Sequence, residues 1–221
     1  MAGVFDFKKE YRDLYAPKTL PCLIDVPEMI FIMVDGKGNP NTGEEYQSAV
    51  QILYGLSYAI KMIKKNEVQP AGYFDYVVPP LEGLWWLCDG SEIWHKDKDR
   101  YSWTSMIRQP VFVDVAVFET ARTEVAKKKP LLDISRARLE TFTEGLCVQT
   151  MHVGSYDDEP RTNAAIAQFI ADNGYVSDIG TTRRHHEIYL NDPRKTASEK
   201  LKTIIRHPVS FFTCGLPFLS S

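Results

Sequence analysis

The chain has 221 residues, of which 44% are hydrophobic, 25% charged and 12% aromatic. These fractions match soluble globular averages and exclude a collagenous, low-complexity or largely disordered polypeptide. The formal net charge of −3 lacks the basic footprint of a nucleic-acid binder, so no direct nucleic-acid contact is expected.

At roughly 100–200 residues per domain, the length leaves one large domain or two small ones open. Cys22, Cys88, Cys147 and Cys214 are scattered, without the close pairs of zinc or redox motifs, and read as free thiols in a reducing cytosol. The first fourteen residues carry Asp6, Lys8, Lys9, Glu10, Arg12 and Asp13, so no export signal is expected. Nowhere do about 18 apolar residues run without a charge, and no membrane contact is expected either. Together these point to a cytoplasmic protein.

In chain order, Met29-Ile30-Phe31-Ile32-Met33-Val34 predicts a buried strand bounded by Pro27 and Gly36. Turn residues 36–41 follow, then Thr42 and Glu45 in capping-box spacing open a helix to about residue 66. Its apolar stripe is Tyr46, Val50, Leu53, Ser57, Ile60 and Ile63. Residues 73–78 and 84–88 read as two strand pieces joined through Pro79-Pro80-Leu81-Glu82-Gly83, with a polar loop over 90–100. A strand over 103–108 ends at Pro110, a helix spans 113–128, and 130–138 reads as a linker. The second half predicts a strand over 146–153, a turn at Gly154-Ser155-Tyr156, and a helix opened by Asp157, Asp158, Glu159 and Pro160. Gly174 ends that helix, and strands over 185–190 and 201–206 follow, the last closed by Pro208.

The halves share letters as well as order. Ser105-Met106-Ile107-Arg108-Gln109-Pro110-Val111 aligns with Thr203-Ile204-Ile205-Arg206-His207-Pro208-Val209, identical at four positions. The expected fold is therefore α+β: a tandem duplicated β-α-β-β module with pseudo-two-fold symmetry and a central ligand groove. The whole chain, 1–221, is one domain on this reading, with half-modules over about 18–129 and 138–209 and a tail from 210 to 221.

A groove between similar modules is a preferred ligand site. Strand alternation puts His185, Glu187 and Tyr189 on one face, with His186, Ile188 and Leu190 on the other. A carboxylate among rings either reaches solvent, pairs with Arg183 or Arg184, or meets a ligand. Partial burial would suit Glu187 to bind a cation or act as a general base. His152, His185 and His186 raise a metal reading, but neighbouring strand residues point apart, so His185 and His186 do not share an ion. No nucleophile elbow and no phosphate loop occur, and no cofactor is expected.

Pro79-Pro80-Leu81-Glu82-Gly83-Leu84-Trp85-Trp86, His152-Val153-Gly154-Ser155-Tyr156-Asp157-Asp158-Glu159-Pro160 and His186-Glu187-Ile188-Tyr189-Leu190-Asn191-Asp192-Pro193 resemble the signatures of GyrI-like small-molecule-binding proteins over about residues 15–209. The resemblance implies an effector-binding fold with an aromatic pocket and a central acid, which Glu187 matches. The Leu-Glu-Gly-Leu-Trp-Trp pattern is similar to a subfamily that hydrolyses cyclopropane-containing DNA-alkylating compounds in an aromatic cage. It implies Glu187 and Tyr156 as catalytic residues, with Trp85, Trp86, Trp103, Tyr189, His152 and Glu82 binding the ligand. The implied partners are aromatic or cationic small molecules, either hydrolysed or only sequestered. A third reading, a protein partner in the manner of gyrase inhibition, is singled out by no residue. The sequence shows no helix-turn-helix region, so the regulatory role of fused activators is not carried over. The tail, with Phe211, Phe212, Leu216 and Phe218, fits a core cover, an oligomer contact or a disordered end.

Overall fold

The computed structural model describes residues 3–87 and 97–212. In chain order it contains β1 (Phe5–Asp6), α1 (Phe7–Glu10), α2 (Arg12–Tyr15), β2 (Cys22–Lys37), α3 (Glu44–Met62), β3 (Tyr76–Val77), β4 (Leu81–Leu87) and β5 (Tyr101–Gln109). Then come α4 (Val115–Lys128), β6 (Arg138–Val153), α5 (Glu159–Asp172), β7 (Tyr175–Ser177), β8 (His185–Tyr189) and β9 (Lys202–Phe211). Six strands close an antiparallel barrel in the order β6-β2-β5-β4-β8-β9, and β9 pairs back onto β6. β1 and β3 form a separate parallel pair.

The unit β2-α3-β4-β5 recurs as β6-α5-β8-β9, and the ladders show the symmetry residue by residue. Gly83 pairs with Glu187 and Leu81 with Tyr189, and exchanging the halves turns one pair into the other. Glu82 and Ile188, the partners of the aligned Met106 and Ile204, pair with each other and map onto themselves, which places the pseudo-two-fold axis at that pair. The β2–β6 ladder obeys the same exchange. Phe31 and Gln149, the partners of Arg108 and Arg206, pair with Glu140 and Cys22 respectively. Among the described residues only the first half carries an additional helix after its last strand, α4, which packs on α3.

Alternation along the strands sorts side chains to two faces. On the outer face α3 covers β2 and β5, while α5 covers β6, β7 and β9. Under α3 the core contains Ile32, Val34, Ile52, Leu53, Leu56, Trp103 and Ile107, all fully buried; under α5 it contains Val148, Ile166, Ile170, Ile205 and Val209. Trp103 fits because Gly36 has no Cβ: one built there would lie 2.2 Å from the indole.

Inside the barrel, apolar Phe31, Met33, Met106, Ile188 and Ile204 surround a buried charged cluster. His186 Nε2 lies 3.0 Å from Glu82 Oε2, and its Nδ1 lies 3.0 Å from Glu144 Oε2. Both contacts sit off hydrogen-bond geometry, so charge rather than direction holds them. Arg206 donates to Gln149 Oε1 at 2.9 Å and to the Leu14 carbonyl at 2.6 Å, and pairs with Glu144 at 3.4 Å. Tyr15 on α2 donates to Glu82 Oε1 at 3.2 Å, so the N-terminal segment completes the cluster. Burial opposes the His186 charge, but Glu144 and Glu82 outweigh it and raise the imidazole to about 9. Burial likewise opposes ionisation of Glu144, which His186 and Arg206 nevertheless hold at about 2.

Several elements run past their expected bounds. β2 and β6 have 16 residues each. β4 starts at Leu81 because Gly83 and its neighbours find partners on both sides, β5 and β8. β9 continues through Pro208. The Pro208 carbonyl accepts from Asp178 N, and in a strand the N–H of the same residue points to the same side, so the missing donor takes nothing from the β6 ladder. Thr42 does not cap α3: Gly43 is the N-cap, its N–H bonded to Asn39 O at 2.8 Å, and Glu45 instead pairs with Arg136 at 3.0 Å. The inward stripe of α3 is Ala49, Ile52, Leu53, Leu56, Ser57 and Ile60, rotated from the expected one so that Val50 is only half-buried. The second helix of the first half begins at Val115 with Asp114 as its cap rather than at Val113. Residues 134–136 of the expected linker form a turn of 3₁₀ helix. Cys22 and Cys147 are free. Cys88, Cys214, most of the loop over 90–100 and the tail beyond 212 lie outside the described residues. No helix among the described residues is long and apolar enough to cross a membrane.

The His186 value is raised in the folded barrel above its ordinary 6.5, so its contribution to stability is complete below about 6.5 and lost by about 9. Thermal melts should therefore show stability falling as pH rises through that window, with a flatter slope in Glu144→Gln. An undiminished slope in that variant would place the responsible proton elsewhere.

Candidate functional site

Neither α3 nor α5 packs on the central pair β4–β8, so the outer face of that pair forms the floor between them. Pleating puts Gly83, Trp85, His185, Glu187 and Tyr189 on this floor. The first turn of α3 adds Tyr46, the start of β5 adds Tyr101, and the 3₁₀ turn leading into α5 adds Tyr156 and Glu159.

Gly83 makes room for the floor's indole. A Cβ there would lie 2.7 Å from Trp85 Nε1 and 3.3 Å from the Tyr189 hydroxyl. With hydrogen in its place, Trp85 lies over Gly83 and donates from Nε1 to Tyr189 OH at 3.0 Å. Tyr46 and Tyr101 approach Trp85 at ring separations of 5.7 and 5.9 Å, and Tyr156 meets Tyr189 edge-on at 5.9 Å. These spacings are typical of attractive ring pairs.

Glu187 stands at the centre of these rings with its side chain 13% exposed. Burial first, and the Glu187 charge second, push Tyr101 and Tyr156 up to about 12 and hold Tyr46 and Tyr189 above the ordinary phenol range. All four therefore remain hydroxyl donors at neutral pH. His185 Nε2 lies 3.0 Å from Glu187 Oε1, and its Nδ1 lies 2.9 Å from His207 Nε2.

The buried stripe of α5 is Glu159, Asn163, Ile166 and Ile170. Its two polar members have no hydrogen-bond partner at Glu159 Oε1 or at either Asn163 amide atom. Burial, followed by repulsion from Glu187, holds the Glu159 carboxyl well above its ordinary value, which favours its protonated form beside an acceptor. Ligand atoms of Glu159, His185 and Glu187 all lie within 4.8 Å of one another, which makes them the set able to reach one metal ion among the described residues. Both nitrogens of His185 already have partners, however, so His185 and Glu187 are organised as a hydrogen-bonded pair with the Glu159 carboxyl beside them.

Of the residues singled out in the sequence, Glu187, Tyr156, Trp85 and Tyr189 meet on this floor. Trp103 is fully buried behind it, edge-on to Tyr46 at 5.1 Å. His152 bonds to Thr162 Oγ1 at 2.7 Å and to the Ser155 carbonyl at 2.9 Å, bracing the turn that presents Tyr156. Trp86 and Glu82 lie on the opposite face by the pleat: Arg184 stacks on Trp86 at 4.7 Å, and Glu82 is bound to Tyr15 and His186 inside the barrel. Glu159, Asn163, Tyr46, Tyr101 and His207 were not anticipated as site residues. A signal for two of them was present, since polar side chains at 159 and 163 share the helical stripe that continues as Ile166 and Ile170.

The sequence profile of the GyrI-like small molecule binding domain matches residues 21–210. The chain belongs to this family. Three solved structures from Listeria innocua are similar to this GyrI-like chain. One is an uncharacterized conserved protein, 54% identical with a TM-score of 0.88, covering 93% of this chain and 100% of its own. Two are called hydrolases, both 52% identical, with TM-scores of 0.85 and 0.87; they cover 93% and 94% of this chain and 100% of their own. No curated protein matches the sequence.

Gly83→Ala should displace Trp85 and break its bond to Tyr189. Titration with a flat aromatic dye is expected to show about tenfold weaker binding with far-ultraviolet circular dichroism unchanged. Unaltered affinity would remove Trp85 from the binding wall.

Proposed function

We propose that this GyrI-like protein is a hydrolase of flat, electrophilic aromatic xenobiotics, with cyclopropane-containing DNA-alkylating compounds as the substrate class. The observation that carries the reading is the carboxyl pair in the ring-lined groove: burial holds Glu159 well above its ordinary value, while Glu187 Oε1 lies 3.0 Å from His185 Nε2. Environments that separate two neighbouring carboxyls in this way assign an acid and a base. The hydrolase names of the two Listeria proteins support the reaction class, and the resemblance of the Leu-Glu-Gly-Leu-Trp-Trp segment supports the substrate class.

In this reading Trp85 and the tyrosine rings hold the ligand plane, and Glu187 orients a water against the strained ring. The water oxygen bonds to a cyclopropane carbon as a ring C–C bond breaks, and that bond's electrons move onto the conjugated carbonyl oxygen. Glu187 takes the water proton, while Tyr156 or neutral Glu159 gives a proton to the oxygen, so the net change is addition of one water. Proximity contributes most, because ligand and water are held together before reaction.

The test is an ultraviolet assay with a cyclopropane-containing alkylator in large excess over protein. Multiple turnovers are expected, with kcat lowered about 10²- to 10⁴-fold in Glu187→Gln. If the spectrum stays unchanged while a cationic rhodamine binds the wild type more tightly than Glu187→Gln, the groove sequesters cationic drugs and does not hydrolyse them.

A further inference from the structure

We propose that His185 and His207 are positioning residues for Glu187: a two-histidine chain that fixes which imidazole nitrogen offers its N–H to the carboxylate facing the groove. The rate consequence of this chain rests on the hydrolase reading above. Its structural consequence does not.

The chain follows from donor and acceptor counting. An ionised carboxylate only accepts, so the 3.0 Å contact with Glu187 Oε1 requires a proton on His185 Nε2. A neutral His185 then has a bare Nδ1, which at 2.9 Å must accept from His207 Nε2–H. His207 is suited to this task. It is 5% exposed, and burial first, with the neighbouring imidazole second, keeps it well below its ordinary value and therefore neutral. With His207 supplying the second contact, His185 cannot turn its Nδ1–H towards the groove without losing a buried hydrogen bond.

The two halves of the barrel confirm that this is an addition and not a requirement of the fold. Under the pseudo-two-fold exchange, which aligns Ile107 with Ile205, the counterparts of Glu187, His185 and His207 are Leu81, Pro79 and Gln109. Gln109 occupies its place with bonds to Ser57 Oγ and the Ile107 carbonyl, both at 3.0 Å. The barrel thus closes equally well with two apolar residues and an amide at these three positions. Only the half that carries the acid carries the histidines behind it.

The groups facing the chain leave it an important share of the electrostatic work. Around Glu187 stand Glu159 from α5, Tyr156 from the turn before it, Tyr46 from α3, Tyr101 from β5 and Tyr189 from β8 itself. Lys98 acts on Glu159, and Glu144 from β6 acts on His207. Among the described residues those around Glu187 are phenols and a second carboxyl, and the His185 N–H at 3.0 Å is the imidazole donor that meets Glu187. Loss of that donor disfavours the charged form of a carboxylate. The acid limb of kcat/KM should move upward accordingly.

Two substitutions separate the donor role from packing. His207→Gln installs the residue found at the matching position of the other half and can still donate an amide N–H; His207→Leu cannot. Nitrogen-15 NMR of His185 should show the Nε2–H tautomer in wild type and His207→Gln, and a mixture in His207→Leu. The alkylator assay should show the acid limb raised by about one pH unit and kcat lowered about tenfold in His207→Leu, with KM within about twofold and both properties rescued in His207→Gln. An unchanged tautomer and pH profile in His207→Leu would overturn the proposal, as would equal loss in both variants when both are folded. The expected tautomers without turnover by any form would contradict the hydrolase reading and leave the chain standing. Turnover by a wild type with no preferred Nε2–H tautomer would do the reverse.

Discussion

Where β4 meets β8, Gly83 faces Glu187 one residue from the pseudo-two-fold axis, and this pairing of strands decides both how the barrel closes and what remains on its outer face. Each half supplies a three-stranded sheet with β2 or β6 at one edge and β4 or β8 at the other. Unpaired edges leave backbone donors and acceptors unsatisfied and invite association. Joining β4 to β8 and β2 to β6 removes all of these edges at once. The same joint sets α3 and α5 on separate halves, so the central pair lies between the helices and its outer side chains become the floor of a groove.

The two faces of that pair treat charge in opposite ways. Inward, Glu82, His186, Glu144 and Arg206 neutralise one another, and Tyr15 and the Leu14 carbonyl bring the N-terminal segment into the same cluster. Breaking one partner of such a cluster strands the others, which makes it a structural commitment. Outward, Glu159 Oε1 and both Asn163 amide atoms are buried without hydrogen-bond partners, and Glu187 meets one imidazole among hydroxyl donors. Unsatisfied polar atoms cost about 1–3 kcal/mol each. Inside the barrel the off-geometry atoms of Glu82, Glu144 and His186 still have opposite charges within reach, whereas among the described residues Glu159 and Asn163 have no such contact, which fits a site prepared for a ligand with its own donors and acceptors.

Much of this division was legible in the sequence, and its limits have physical causes. Two-residue alternation was enough to set His185, Glu187 and Tyr189 on one side of β8, and the letters around Arg108 and Arg206 revealed the duplication that places the axis. Trp86 and Glu82 were grouped with Trp85 because they share a motif, but neighbours in a motif alternate across the pleat and only one parity reaches the groove. Tyr46 was read as ordinary core because its helical spacing is that of a core stripe; only the crossing of α3 over the sheet brings its ring to Trp85. His207 lay in the repeat itself, opposite Gln109, yet its contact with His185 depends on the β8–β9 register. Pro27 and Pro208 suggested strand ends because the side on which an N–H is missed cannot be read from one strand alone.

The central claim is that the strip over β4 and β8 receives a flat aromatic ligand against Glu187. A crystal structure with a cationic rhodamine soaked in tests it most directly. The ligand plane should lie against Trp85, walled by Tyr46, Tyr156 and Tyr189, with a polar ligand atom within hydrogen-bond distance of Glu187 or Glu159. A ligand seated inside the barrel beside Glu82 and His186, or on a surface remote from the β4–β8 pair, would contradict the account.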